Sequence, residues 1–188
     1  MKEKIKNLIE SNQKVVHNLL SEENTALIKK VAGTIIRSLN KGGKVIAFGN
    51  GGSAADSQHM TAELVGRFKK ERKAMPAIAL TANTSTITAL SNDYGYEASF
   101  KRQLEALGKK GDVAIGISTS GRARNVIEAM REARRMGLRT IALTGKDGGE
   151  LRGAAELAIV VKSGEIPRIQ EAHILIIHIL CELIEDSL

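Results

Sequence analysis

Two stretches of this 188-residue chain share one design. The apolar run Lys44 to Ala47 leads into Phe48-Gly49-Asn50-Gly51-Gly52-Ser53, and the run Val113 to Ile117 leads into Ser118-Thr119-Ser120-Gly121. In each, β-branched apolar residues give way to glycine and hydroxyl side chains, after which a helical pattern begins. A short, unbroken apolar run bounded by glycine reads as a strand covered on both faces, because polar/apolar alternation disappears when helices lie on both sides of a sheet. The chain is thereby restricted to an α/β architecture whose strand-to-helix loops gather at one end of the sheet, where such sheets bind ligands. One such loop would be an ordinary turn. Two of them, each after a run expected near the sheet centre, point to a small phosphorylated ligand: glycine leaves backbone N–H groups unobstructed, a helix N-terminus adds partial positive charge, and serine and threonine add donors. Gly49-Asn50-Gly51-Gly52-Ser53 lacks the spacing of a dinucleotide fingerprint, and Gly145-Lys146-Asp147 lacks that of a Walker loop.

The rest of the pattern agrees. Ile5, Leu8, Ile9, Val15, Val16, Leu19 and Leu20 recur at helical spacing, and Leu27, Ile28, Val31, Ile35, Ile36 and Leu39 repeat the pattern after Ser21, a candidate N-cap, with Gly42 and Gly43 as the stop. Strands are then expected at Val45 to Phe48, Ala77 to Leu80, Val113 to Ile117, Thr140 to Leu143 and Leu157 to Val161. Helices are expected at Ala54 to Gly66, Ser85 to Leu107 (continuous or broken into turns), Arg124 to Met136 and about Arg168 to Glu185. This is a doubly wound, five-stranded parallel sheet flanked by helices. It forms a single domain over residues 1–188, with residues 1–42 as a helical N-terminal extension. The first helix stands outside the βα alternation, so its apolar stripe needs a neighbour or another subunit.

Composition removes several function classes. The apolar stretch Ile174 to Cys181 is interrupted by His178 and is far short of the roughly 20 residues of a membrane span. Met1 to Asn12 is charged and amphipathic, unlike a secretory signal. With the single cysteine, Cys181, this makes a cytoplasmic location and a buried structural thiol the expectation. The net charge of +7 favours anionic partners. The surplus is spread over positions such as Lys69, Lys70, Arg72, Lys73 and Arg131, which read as solvated faces. Three Phe, two Tyr and no Trp leave little to stack on bases, so no nucleic-acid partner is expected.

Chemistry concentrates on two helices. His59 and Glu63 are four apart, hence on one face. Gln170 and His178 are eight apart, about two turns with an offset of about 80°, with Glu171 and His173 between them. Two imidazoles, a carboxylate and an amide oxygen form an acceptable set for zinc or a similar divalent ion, and the same Glu and His could serve as general base and acid. By spacing alone, His59 and Glu63 equally describe a surface pair and His178 a hydrogen-bonded core residue.

Several segments together resemble the phosphoheptose isomerases of the sugar isomerase (SIS) family: Phe48 to Ser53, His59 with Glu63 and Gly66-Arg67, Ser91-Asn92-Asp93, Gly116 to Gly121, Leu143 to Gly149, and Arg168-Ile169-Gln170-Glu171-x-His173. The likeness runs over nearly the whole chain. It implies a flavodoxin-like sheet, a homotetramer, and conversion of sedoheptulose 7-phosphate to D-glycero-D-manno-heptose 7-phosphate, which feeds lipopolysaccharide or other surface glycans. It further implies one zinc per subunit on His59, Glu63, Gln170 and His178, with Glu63 and His178 as the acid/base pair. The sugar and phosphate contacts it implies are Asn50, Gly51, Gly52, Glu63, Asn92, Asp93, Ser118, Thr119, Ser120 and Gln170; Ser53 and Arg67 lie beside them in the sequence.

The chain departs from the family at two places. Arg122-Ala123 stands where Asn-Ser is common, removing a hydroxyl expected at the phosphate and leaving Arg122 or Arg124 as candidate substitutes. Pro167 stands where an acidic residue is common. A non-catalytic relative that binds the bacterial replication initiator shares Gln58-His59, Arg168 to Glu171 and Cys181 to Ile184, but it lacks the carboxylate and imidazole that match Glu63 and His178. For the isomerisation itself, a cis-enediol route needs one group that carries a proton between adjacent carbons, which suits Glu63. A second group that opens the sugar ring or shuttles protons between oxygens suits His178, and a bound zinc would polarise the carbonyl.

Overall fold

The computed structural model describes residues 1–187. The elements are, in order, α1 (Lys2–Asn18), α2 (Glu22–Asn40), β1 (Val45–Gly49), α3 (Gly52–Val65), β2 (Ala77–Ala79), α4 (Thr84–Tyr94), a 3-10 turn (Tyr96–Ala98), α5 (Ser99–Leu107), β3 (Val113–Ser118), α6 (Arg124–Arg135), β4 (Arg139–Gly145), α7 (Gly149–Ala154), β5 (Leu157–Val161) and α8 (Ile166–Glu185). The strands lie in the order β2-β1-β3-β4-β5, and each neighbouring pair is parallel. This is the flavodoxin-like arrangement expected from the sequence.

Side chains alternate across the sheet. Val45, Ala47, Val113, Ile115, Ile117, Ile141 and Leu143 pack with α2, α3 and α8, while Ile46, Phe48, Ala114 and Ala142 pack with α5, α6 and α7. β1 and β3 are fully buried along their length, which is why neither shows polar alternation. Ser21 caps α2 as expected, its hydroxyl accepting from the Asn24 N–H at 3.3 Å.

Of the two forms left open for the segment from Ser85 to Leu107, the broken one holds: it is two helices, because Gly95 at φ +84° ends α4 and a 3-10 turn follows. Three expectations need correction. A helix not anticipated, α7, lies between β4 and β5; its six residues are too few to show periodicity. β4 is longer than Thr140 to Leu143, running through Gly145 in register with β5. α8 starts at Ile166, two residues before the expected position, since Pro167 falls in its first turn, where a missing N–H costs nothing.

α1 is only partly covered within the chain. Its last turn buries Val15 beside Leu19, Asn12 donates to Glu171 Oε2 at 2.6 Å, and Arg168 donates to the Leu8 carbonyl at 2.6 Å, tying α1 to α8. Ile5, Leu8 and Ile9 remain exposed.

His173, on the inner face of α8, is fully buried with Nε2 3.1 Å from the Thr144 carbonyl oxygen at the end of β4. Burial pushes its pKa down to about 4, against the opposing pull of that carbonyl. The unfolded chain therefore binds a proton at about pH 6.5 that the native state refuses until about 4. Stability should be intact above about pH 6.5 and fall through that window by about 3 kcal/mol in all. Equilibrium urea unfolding across that pH range should show the slope. His173→Gln, which keeps an N–H donor without a titratable ring, should flatten it.

Candidate active site

The sheet order reverses direction between β1 and β3: the chain leaves β1 toward β2 on one side and β3 toward β4 on the other. The loops after these two strands, Asn50 to Gly52 and Thr119 to Ala123, therefore part and leave a crevice at the carboxyl edge of the sheet. α3 begins in that crevice. Gly51 adopts φ +56° and ψ −122°, a conformation open to glycine. At Gly52 the missing side chain leaves room for the Gln170 side-chain amide, which a Cβ would displace. A Cβ at Gly145 would likewise strike Ile169 of α8 and the Thr119 carbonyl. Through these close approaches the start of α8 lies against both loops.

α3 and α8 pack side by side over the same face of the sheet and carry the titratable cluster. His59 Nε2 lies 3.0 Å from His178 Nε2 and 3.3 Å from Glu63 Oε1. The two imidazoles are tilted by 60° with centroids 5.1 Å apart, and the Phe68 ring lies 5.6 Å from that of His178. The Glu63 side chain is mostly enclosed and that of His59 a little under half exposed, so the cluster is partly open to solvent. Its other neighbour is Cys181, whose thiol is pushed up to about 12 by burial and by the Glu63 charge, which makes it structural and not nucleophilic at neutral pH. Among the described residues, no three His, Cys, Asp or Glu side chains already stand in coordination geometry.

The structure brings together most of the residues singled out from the sequence. Asn50 to Ser53 form the β1 loop and the first turn of α3, Ser118 to Ser120 form the β3 loop, and Gln170 sits on Gly52. Asn92 and Asp93 lie exposed at the end of α4, where their side-chain hydrogen bond is to each other, at 2.8 Å. The following Tyr96 reaches the β1 loop, its hydroxyl donating to Asn50 Oδ1 at 2.7 Å.

The SIS-domain family model matches residues 9–145. A phosphoheptose isomerase of Geobacter metallireducens is 49% identical over all 188 residues and 99% of its own length. The solved phosphoheptose isomerase of Neisseria gonorrhoeae superposes with a TM-score of 0.90 at 38% identity, covering 98% of each chain. That of Francisella tularensis gives 0.91 at 38% identity, covering 98% of this chain and 97% of the other. The chain belongs to the phosphoheptose isomerase family.

For a phosphoheptose isomerase, the departure at Arg122-Ala123 has a definite structural outcome. The Arg122 guanidinium pairs with Asp147 at 3.0 Å, its backbone N–H donates to Ser120 Oγ at 3.2 Å, and Arg124 lies 3.8 Å from both Glu128 and Glu150. Both arginines thus have carboxylate partners of their own. Besides these arginines, the β3 loop offers an anion its hydroxyls, its backbone N–H groups and the start of α6.

Three polar residues at the site went unnoticed in the sequence. Asn125, fully buried on α6, exchanges two hydrogen bonds of 2.9 Å with Asn50 and so ties the β1 loop to the helix after β3. Tyr96 completes that tie. Asp56, one turn before His59, has one carboxylate oxygen enclosed without a partner, and burial raises its pKa to about 6 against the pull of His59. Its three-residue spacing from His59 was the available signal, but Ala54-Ala55-Asp56 reads as an ordinary helix start.

Replacement of Ser120 by Ala should raise KM for the sugar phosphate by about tenfold or more through loss of an anion contact. Arg122→Ala should change KM by less than about twofold, because its guanidinium is engaged by Asp147. Steady-state kinetics at low ionic strength, where a charge contribution is least screened, decides between them.

Proposed function

We propose that this chain is an aldose-ketose isomerase that converts sedoheptulose 7-phosphate to D-glycero-D-manno-heptose 7-phosphate, the entry step to activated heptose for lipopolysaccharide or other surface glycans. The observation that carries this reading is the convergence of His59, Glu63 and His178 within 3.3 Å contacts beside two loops suited to a sugar and its phosphate. The names of its relatives agree. The initiator-binding alternative is not favoured, since both side chains that it lacks are present here and are brought together.

These positions support the following chemistry. With the sugar chain open, the Glu63 carboxylate removes a proton from C1, the C–H electrons form the C1=C2 bond, and the C2 oxygen takes up a proton to give the enediol. Loss of the O1 proton then regenerates a carbonyl at C1 while Glu63 returns its proton to C2. His178, held at its ring nitrogen by His59, carries protons between the two oxygens. The phosphate lies against Ser118, Thr119 and Ser120, and Asn50 to Ser53 with Gln170 line the sugar. Asn92 and Asp93, exposed at the end of α4, are assigned to the sugar as well.

We assign one zinc per subunit to His59, Glu63, Gln170 and His178. Two nitrogens bound to one tetrahedral zinc stand about 3.3 Å apart, close to the 3.0 Å between these imidazoles. When bound, the ion would polarise the sugar carbonyl and favour negative charge on the enediol oxygens; because Glu63 and His178 would also be its ligands, its binding and their acid/base roles are coupled. We also assign a homotetramer, on the grounds that the exposed Ile5, Leu8 and Ile9 stripe of α1 lacks a cover and that Gly51, Gly52, Asn92 and Asp93 are exposed on the single chain. The substrate would come from the cytoplasm. No helix among the described residues is long and apolar enough to cross a membrane.

Incubation with sedoheptulose 7-phosphate should yield an aldoheptose phosphate by NMR, and Glu63→Gln should lower kcat by at least about 100-fold with the fold retained. A near-normal rate in that variant would remove Glu63 from proton transfer. Protein isolated without chelator should carry close to one zinc per chain by elemental analysis, and His59→Ala should lose it; an active protein without metal would return these residues to acid/base roles alone. Light scattering should give about four chains per particle, falling on Ile5→Glu with Ile9→Glu. An unchanged mass would place the interface elsewhere.

A further inference from the structure

The strongest unassigned feature is a charged pair buried beneath the catalytic cluster. Glu185, at the end of α8, has a nearly inaccessible carboxylate. One oxygen accepts from the Phe68 N–H at 2.9 Å and Arg72 Nε at 3.1 Å, and the other from the N–H groups of Lys69 at 2.7 Å and Lys70 at 2.9 Å. Three consecutive backbone donors and a guanidinium thus close on one carboxylate. Arg72 in turn spends its remaining donors on backbone carbonyls at the end of α3: Glu63 at 2.7 Å, Leu64 at 2.9 Å and Gly66 at 3.1 Å, with Lys73 at 3.0 Å. A cation on those last carbonyls also suits the negative end of the helix dipole.

This bridge joins the carboxyl ends of the two helices that bear Glu63 and His178. It grips the backbone of Glu63 itself. By fixing the Phe68 N–H, it also holds in place the ring packed 5.6 Å from His178. We propose that the Arg72–Glu185 pair is a positioning device for the proton-transfer cluster, setting the separation of α3 from α8 and the aromatic wall on His178, so that it governs turnover more than substrate binding. This rests on Glu63 and His178 being the proton-transfer residues. The effect expected of a displaced reacting group is large, since misplacement by about 1 Å can cost about 100-fold in rate.

A purely structural ion pair would behave differently, and the chain supplies a comparison. Lys44, partly exposed, and the fully buried Asp112 form a second pair, at 2.5 Å, at the opposite end of β1 and β3 from the site. The test uses full-length Glu185→Gln, Arg72→Lys and Lys44→Met, compared by thermal melting, by kcat and KM with sedoheptulose 7-phosphate, and by NMR of the His178 imidazole nitrogens. Arg72→Lys keeps the charge yet cannot span both Glu185 and the α3 carbonyls, so it tests positioning without deleting the ion pair. We expect Arg72→Lys and Glu185→Gln to lower kcat by about tenfold or more, with KM within about twofold and shifted His178 resonances. Lys44→Met should lose stability alone. If the folded Arg72→Lys protein keeps wild-type kcat and wild-type His178 resonances, the proposal is overturned. If Glu63→Gln keeps its turnover, the catalytic reading has failed, and the imidazole shifts still report whether the clamp positions the ring.

Discussion

Everything at this site depends on where the parallel sheet changes direction. β1 and β3 are neighbours whose onward connections depart to opposite sides, so their loops cannot close over one another and the carboxyl edge stays open between them. The glycines serve that constraint: Gly52 admits Gln170, and Gly145 admits both Ile169 and the β3 loop, drawing the start of α8 up to the crevice. Helix α8 can then lie along α3 for its whole length. A His at position 59 and another at 178, separated by 119 residues in the chain, become hydrogen-bonded neighbours.

Polar ties inside an apolar core hold this geometry. Asn125 and Tyr96 secure Asn50, His173 secures the end of β4, and Glu185 with Arg72 secures the far ends of α3 and α8. Apart from the exposed Tyr96, each is a buried or part-buried group whose hydrogen bonds are worth more than those of exposed pairs and whose loss would leave an unsatisfied partner. The surface pairs Lys69 with Glu182 and Lys70 with Asp186 flank the same loop but are well exposed, where such pairs contribute little.

The strands were legible because burial on both faces leaves an unmistakable apolar run, as in Val45 to Ala47 and Val113 to Ile117. The loops were legible because glycine and hydroxyl residues cluster there for a physical reason, whereas His59, Glu63, Gln170 and His178 were singled out by the family resemblance, since their spacing alone describes a surface pair and a core histidine equally well. α7 was not legible, since a helix of six residues with glycine at its start and near its end shows no period. Arg72 was read as part of a solvated basic surplus, whereas its side chain is 11% exposed and bound to Glu185, 113 residues away. Nothing in a one-dimensional pattern distinguishes a buried arginine from a solvated one when its partner is that distant. Asn125 was missed for the same reason, its partner being 75 residues away.

The central claim is that a carboxylate on α3 and an imidazole on α8 move a carbon-bound proton between adjacent carbons of a phosphorylated ketose. Running the isomerisation in D2O and locating deuterium by NMR tests this most directly. Proton transfer through an enediol by a solvent-exchangeable group predicts deuterium at C2 of the aldose, accumulating over repeated turnovers. Product that stays free of deuterium at C2 after many reversible turnovers would contradict the account, because a proton held on a carboxylate in contact with solvent would exchange at least in part over repeated cycles.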